Sequence, residues 1–590
     1  MNAWIDYTDI MKVTDVFKEA RFMADQICAD HILSEEYMDI IITQERLGPF
    51  KSWSDESLCR NDLGLIYDSI HVPTITKEAL FRMNLDYSMI PSCYTLIDME
   101  AMNQSGVTGI QNYPGLELKG EDVLIGFIDT GIDYENNVFR KSDGSTRIEA
   151  IWDQTIQEGP PPSGFLIGTE YTREHIDEAL QSESPDLIVP TKDDHGHGTY
   201  VASLAAGGEN VSEQFLGAAP EASIAMVKVK QAKAYLKDYY QINPDAVCYQ
   251  ENDLMLGLRY LHELATRLHL PLVICIAMGT NLGDHTGISP LCRMIDDYAT
   301  FSNRVIVIGG GNEGDKRHHY YGKFNDMREV QEVEISVGAD VAGFTMELWT
   351  TIPNIMSMSI TSPSGESISN IPVQDGFAQL YNIVFGATTI GVRHYLNIET
   401  VNAQLILVQM HGVAQGVWRF TIAPLELADG VFHMWLPVTE FLTGDIFFLR
   451  SNPDVTLTEP SNTESAITVG YYNGADNATV ASTGKGFTRT DGIKPGLVSL
   501  GINIRGAAPD NRFVTRSGAS AAVAIATGVA ALLVEWALYK RGETDVDSLL
   551  IKNYLILGAQ KNPVFSYPNP DFGYGKLDLY NTFLKLGKYF

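Results

Sequence analysis

The sequence predicts an α/β protein: a parallel sheet with flanking helices, preceded by a small α+β unit and interrupted by an all-β insertion. Three observations carry this. From about Gly120, short apolar runs ending in Gly, Asp or Asn alternate with helical stretches, the pattern of strands buried on both faces. Between about Glu329 and Glu459, period-two and aromatic runs replace that texture, with no helical period. The length, 590 residues, exceeds the ~100–200 residues of one ordinary domain.

In chain order, residues 1–90 offer a helix over Val16 to Ile32, strands at Met38–Thr43 and around Leu65–Ile75, and a short helix near Lys77–Met83. The α/β texture then gives strands at Val123–Ile128, Ile224–Val229, Leu272–Ala277 and Val305–Ile308, and helices at His197–Ala206, Leu254–Leu268 and Met294–Asn303. In the insertion VEISV, FTMELWT, MSMSIT, AQLILVQM, GVWRFTIAP and FHMWLP read as strands, about eight in all, of a β-sandwich or jelly roll. The α/β texture resumes with Ala466–Gly470, a strand at Gly496–Ile504 and a helix from Ser520 to about Tyr539.

Composition narrows the function. There are 42 Lys+Arg against 74 Asp+Glu, so 42 − 74 gives a net charge of −32. Without basic patches there is no counterion-release term, which argues against nucleic acid and anionic membrane as partners. The acidic start, MNAWIDYTDIMKVTD, does not read as a secretory signal, and a cytoplasmic location is expected. The apolar stretch Ala519 to Leu538 is rich in Ala and Gly and broken by Glu535, so it reads as a core helix. Six cysteines without a C-x-x-C pair read as reduced, mostly buried thiols.

Four local patterns carry chemistry. VLIGFIDTGID puts Asp129 at the carboxyl end of a buried strand, the edge where open parallel sheets gather functional groups; it could equally cap the next turn. A second D-T-G turn, which an aspartic protease needs, does not exist in the sequence. DDHGHGTYVASLAAG starts a small-residue helix at His197, beside His195. An H-x-H pair can bind metal, but no carboxylate or thiol set completes a site, and no metal or other cofactor is expected. VIVIGGGNEG leads a strand through Gly309, Gly310 and Gly311 to Asn312, whose amide can donate to an oxyanion or simply cap a turn. RSGASAAVAIATGVAALL puts Ser520 at the start of an apolar helix, where a nucleophile gains a backbone N–H and a positive dipole end; an ordinary N-cap serine occupies the same place.

Taken together, in the order Asp, His, Asn, Ser, these patterns follow the subtilisin chain order. The chain resembles the subtilisin-like serine proteases, and its layout is similar to their clostridial, Csp-like spore-germination branch. IEAIWDQT near Trp152 and FGYGKLDL near Gly573 add to the likeness. The resemblance implies a prodomain over 1–95, catalytic-domain parts over 96–328 and 460–590, and a jelly roll over 329–459. It implies that Asp129 orients, His197 acts as base and then acid, Ser520 attacks, and Asn312 with the Ser520 N–H holds the oxyanion. Ala277, Met278 and Gly279 would pair with an extended peptide substrate, and Gly309, Gly310 and Gly311 would line its first specificity pocket. The prodomain would be cut between Ser88 and Asp98 and stay bound as inhibitor.

There are departures. Ala519 and Ala524 replace the Thr and Pro of the family's G-T-S-x-A-x-P, and Val138 stands where many relatives carry a calcium-binding Asp. The target expected by resemblance is a protein zymogen, in a spore-forming bacterium. A regulator without activity and a general intracellular protease are the alternatives.

Overall fold

The computed structural model describes residues 28–43, 59–75, 80–81, 83, 85–96, 111, 117–385, 387–398 and 402–589. At its centre is an eight-stranded sheet. From one edge, its strands are Leu497–Leu500, Ile467–Tyr472, Arg304–Gly309, Leu272–Ile276, Leu124–Asp129, Ser223–Lys228, Ile148–Asp153 and Thr169–Thr172. All neighbours are parallel except the last pair, which is antiparallel. The three central strands are buried at every position and mostly apolar, as in Leu272–Ile276, because helices cover both faces.

On one face lie helices His197–Ala206 and Ala519–Glu535, with Val201 and Ile525 in one core with Val273 and Val307. On the other lie Glu251–Leu268 and Pro290–Ala299, with Leu261 and Ile295 packed against Ile274 and Ile306. Each such fully buried aliphatic side chain contributes about 1.5–3 kcal/mol. The helix Ala519–Glu535 and its continuation to Lys540 are long and apolar enough to cross a membrane, but 89% of the apolar window is buried inside the protein.

Several boundaries differ from expectation for local reasons. The helix expected at Met294–Asn303 starts at Pro290, because Ser289 Oγ accepts from the Cys292 N–H at 3.2 Å and proline fits the first turn. The strand expected over Gly496–Ile504 ends at Leu500; Asn503 takes φ 61°, and Ile504–Ala508 instead forms a hairpin with Arg512–Arg516. The expected helix to Tyr539 stays α-helical only to Glu535, then widens into a π turn over Trp536–Lys540.

At the N-terminus, Tyr37–Thr43, Tyr67–Pro73 and Cys59–Gly64 form an antiparallel sheet with Tyr67–Pro73 in the middle. The expected helix Val16 to Ile32 lies outside the described residues up to residue 27, as does most of Lys77–Met83. Cys28 and Cys59 are joined by a disulfide, which corrects the expectation of six reduced thiols; the other four are free and buried. The folded chain brings two distant thiols together, and no spacing rule encodes that.

This sheet is tied to the α/β body by a buried polar knot. Asp39 Oδ1 accepts from Lys233 Nζ at 2.9 Å, its Oδ2 accepts from Gln250 Nε2 at 2.5 Å, and the His71 ring stands 2.5 Å away. Burial alone would raise the Asp39 carboxyl, but the His71 and Lys233 charges outweigh it and hold it well below the usual carboxylate range.

The β-rich unit consists of a six-stranded and a five-stranded sheet sharing one core that includes Phe344, Met346, Trp418 and Phe420. It takes in His319–Lys323, ahead of the expected start at 329. The long strand Thr388–Ile398 was not legible as such, because TTIGVRHYLNI breaks the apolar alternation with Arg393 and His394. Arg393 is nonetheless fully buried and donates to the carbonyl of Phe81 at 2.6 Å.

Candidate active site

Asp129 ends the strand Leu124–Asp129, His197 opens the helix His197–Ala206, and Ser520 is the second residue of the helix Ala519–Glu535. Folding brings the three into one line. His197 Nδ1 lies 2.7 Å from Asp129 Oδ1, and His197 Nε2 lies 2.9 Å from Ser520 Oγ. All three side chains are buried, so the contacts act in a low-dielectric setting. Asp129 Oδ1 also accepts from the Thr130 N–H at 2.7 Å, which fixes its plane.

The residues around His197 explain its position. A side chain at Gly198 would collide with the carbonyl of Gly131, so only glycine lets the helix sit this close to the strand end. Asp193 then clamps the helix start. Its carboxylate accepts from the Gly196 and Thr199 N–H groups, both at 2.8 Å, and from the Thr130 and Thr199 hydroxyls, both at 2.7 Å. A carboxylate there meets unpaired N–H groups and the positive end of the helix dipole. The sequence signal for it was an Asp just ahead of a helix, obscured by Asp194 beside it. His195 sits with its ring 6.2 Å from that of His197; burial, and then the charge of His197, push its pKa down. His197 engages Asp129 and Ser520 through its two nitrogens, leaving neither for a metal shared with His195. Among the described residues there is no group of three metal-ligating side chains.

Asn312 lies in the loop after the strand Arg304–Gly309 and meets Ala519, the residue before Ser520. Its Oδ1 accepts from the Ala519 N–H at 3.1 Å. The next residue, Glu313, anchors that loop: its carboxylate accepts from Asn281 Nδ2 at 3.0 Å and faces the His318 ring at 2.5 Å. Burial opposes its charge, but His318 together with hydrogen bonds from Thr439 and Asn281 outweighs burial and lowers its pKa.

Ala277 follows the central strand Leu272–Ile276, and Met278–Gly279 forms a short strand of its own. That edge is occupied. The segment Cys93–Leu96 runs antiparallel to it, Leu96 opposite Met278 and Thr95 opposite Gly279, and pairs on its other side with Tyr249–Gln250. The chain's own segment is therefore the middle strand of a three-stranded sheet. Of the expected cut window, Ser88 to Asp98, residues 88–96 are described.

Gly309 ends the strand Arg304–Gly309, Gly310 follows, and Gly311 has φ 86°. One residue that sequence reasoning missed stands beside them. Thr458 projects between Gly279 and Gly311: a Cβ on Gly311 would lie 2.5 Å from Thr458 Oγ1, and one on Gly279 would strike the same atom. Its hydroxyl is buried and has no hydrogen-bond partner.

An open α/β sheet with an aspartate, a histidine and a serine linked in series at its carboxyl edge, and met in that chain order, marks the class of subtilisin-fold proteins. The comparisons agree. The model of the subtilase family matches residues 120–369 and 444–576, and the chain belongs to that family. The solved structure of the Clostridium perfringens CspB protease is 31% identical, covers 82% of this chain and 98% of its own, and superposes with a TM-score of 0.73. Among curated relatives, the Arabidopsis thaliana subtilisin-like protease SBT3.4 is 25% identical over 70% of this chain and 56% of its own length. SBT2.2 of the same plant is 36% identical over 19% of this chain and 15% of its own. The chain thus spans only part of these curated relatives.

Proposed function

We propose that this protein is a serine endopeptidase in which Ser520 attacks a peptide carbonyl, His197 takes and returns the proton, and Asp129 orients the ring and stabilises its charged form. The amide of Asn312 and the backbone N–H of Ser520 meet the oxyanion. The observation that carries this is the continuous contact from Asp129 through His197 to Ser520.

The same reading makes the N-terminal unit a prodomain. The pairing of Cys93–Leu96 along Met278–Gly279 supports a single self-cleavage between Ser88 and Asp98, after which the unit stays bound as a product-like inhibitor. The inserted unit acts as a jelly roll that braces the α/β body. The substrate is a protein taken in extended form, without nucleic acid or membrane, in the cytoplasm or packaged in a spore. The likeness to a clostridial protease favours limited cleavage of a zymogen in germination over general protein turnover.

Mass spectrometry of the expressed chain tests the self-processing step. Wild type gives two fragments and Ser520→Ala one intact chain; an intact wild-type chain contradicts it.

A further inference from the structure

Tyr87 lies upstream of the cleft strand, nine positions before Leu96, and its side chain leaves the N-terminal unit to enter a pocket built by other parts of the chain. Its hydroxyl donates to Glu347 Oε1 at 2.6 Å. Its ring stands edge-on to Trp349 at 5.3 Å and to Tyr395 at 6.1 Å between centroids. Glu347, Trp349 and Tyr395 all belong to the inserted β unit, and all three are buried. The other oxygen of Glu347 accepts from Trp349 Nε1 at 2.9 Å and from the Gly283 N–H at 3.0 Å. Gly283 lies in the loop that follows the Met278–Gly279 edge, so the carboxylate links the insertion to the cleft. A cavity of about 30 Å³ borders Tyr87, Glu251, Gly283 and Trp349.

We infer that this pocket is a second substrate-binding site, on the inserted unit, which takes a tyrosine side chain about nine residues before the one that lies opposite Met278. The inference rests on the proposed cleavage of a peptide lying along that edge. Tyr87 shows how the site is filled when the chain's own tail is the occupant. Once the tail leaves, the walls remain, because Glu347 keeps its two other donors. What is lost is the phenol's donor to a buried carboxylate and the face that met two aromatic rings. An incoming tyrosine restores both; phenylalanine restores only the ring contacts, and alanine neither. Selection by the insertion then adds to whatever the glycine-lined pocket selects at the cut, and it lies too far upstream to be read by a short peptide.

The test uses the self-processed enzyme separated from its bound N-terminal fragment and checked for cooperative thermal unfolding, with peptides of the sequence of residues 84–102 carrying Tyr, Phe or Ala at position 87, and a shorter one covering residues 90–102. The expected result is a KM for the Tyr peptide about ten-fold below that of the Ala peptide, at equal kcat, with the Phe peptide between. The short peptide should match the Ala peptide, and in Glu347→Gln, where a neutral amide replaces the carboxylate that accepts from the phenol, the advantage of Tyr over Phe should shrink at least two-fold. Equal KM values for all three long peptides on wild-type enzyme refute the second site and leave the peptidase reading standing. Cleavage of none of them, the short one included, refutes both.

Discussion

Thr458 sets the sharpest expectation for specificity. Its side chain occupies the space between Gly279 and Gly311, 2.5 Å from where a Gly311 Cβ would stand. A large ring entering from the substrate must displace it. Forcing extra volume into a packed site costs about 1–3 kcal/mol, and about 1.4 kcal/mol is a factor of ten in rate. Wild-type enzyme should therefore cleave a short chromogenic peptide with Ala before the scissile bond about ten- to hundred-fold faster, in kcat/KM, than the same peptide with Phe. Thr458→Gly removes the obstruction. Because Thr458 Oγ1 has no hydrogen-bond partner, the change breaks no hydrogen bond of that hydroxyl, and the added chain freedom costs about 1 kcal/mol. The Phe peptide should gain at least ten-fold on the Ala peptide in the variant. A wild-type preference for Phe, or a ratio that moves less than three-fold in Thr458→Gly, would refute the reasoning.

Other consequences are separable. Asn312→Ala should lower kcat by about 10²–10³ with little change in KM; a loss under three-fold removes Asn312 from the oxyanion site. Asp193→Asn replaces an acceptor of four donors by a group that can serve only part of them, so urea unfolding should show a loss of about 2–4 kcal/mol. A loss below ~0.5 kcal/mol would mean that Asp193 does not clamp the helix. The buried rings of His319 and His433 share a contact of 2.9 Å. Burial, then the charge of His285, lowers the His319 pKa to about 3, while an unfolded histidine takes its proton near ~6.5. The stability from the neutral pair is therefore complete above about pH 6.5 and is lost as pH falls toward 3, by on the order of 3 kcal/mol at pH 4.5. Measured as the stability of wild type minus that of His319→Phe, the gap should shrink between pH 7.5 and 4.5; a constant or widening gap contradicts the assignment.

What the sequence disclosed follows the range of the forces involved. Asp129, His197, Asn312 and Ser520 each sit at a local junction of strand, turn or helix, and such junctions leave short-range marks: an apolar run before D-T-G, glycines beside His197, three glycines before Asn312, an Ala-rich helix after Ser520. The central strands were legible because helices bury them on both sides. Thr458 was not, since its meaning depends on Gly279 and Gly311, from which the intervening β unit separates it in sequence. The edge strand Thr169–Thr172 is short and alternates buried and half-buried positions, too little pattern to distinguish it from a loop. Thr388–Ile398 hid behind Arg393, a charged residue whose burial makes sense only once the Phe81 carbonyl is in place. The Cys28–Cys59 bridge and the Tyr87 pocket are likewise products of tertiary structure.

The central claim is that Asp129 and His197 activate Ser520. Labelling the folded protein with a fluorophosphonate, and mapping the adduct by mass spectrometry, tests it most directly. The account predicts a single adduct on Ser520, absent in Ser520→Ala and slowed at least a thousand-fold in His197→Ala. A wild-type protein that stays unlabelled at Ser520, or one whose labelling is indifferent to the loss of His197, would contradict it.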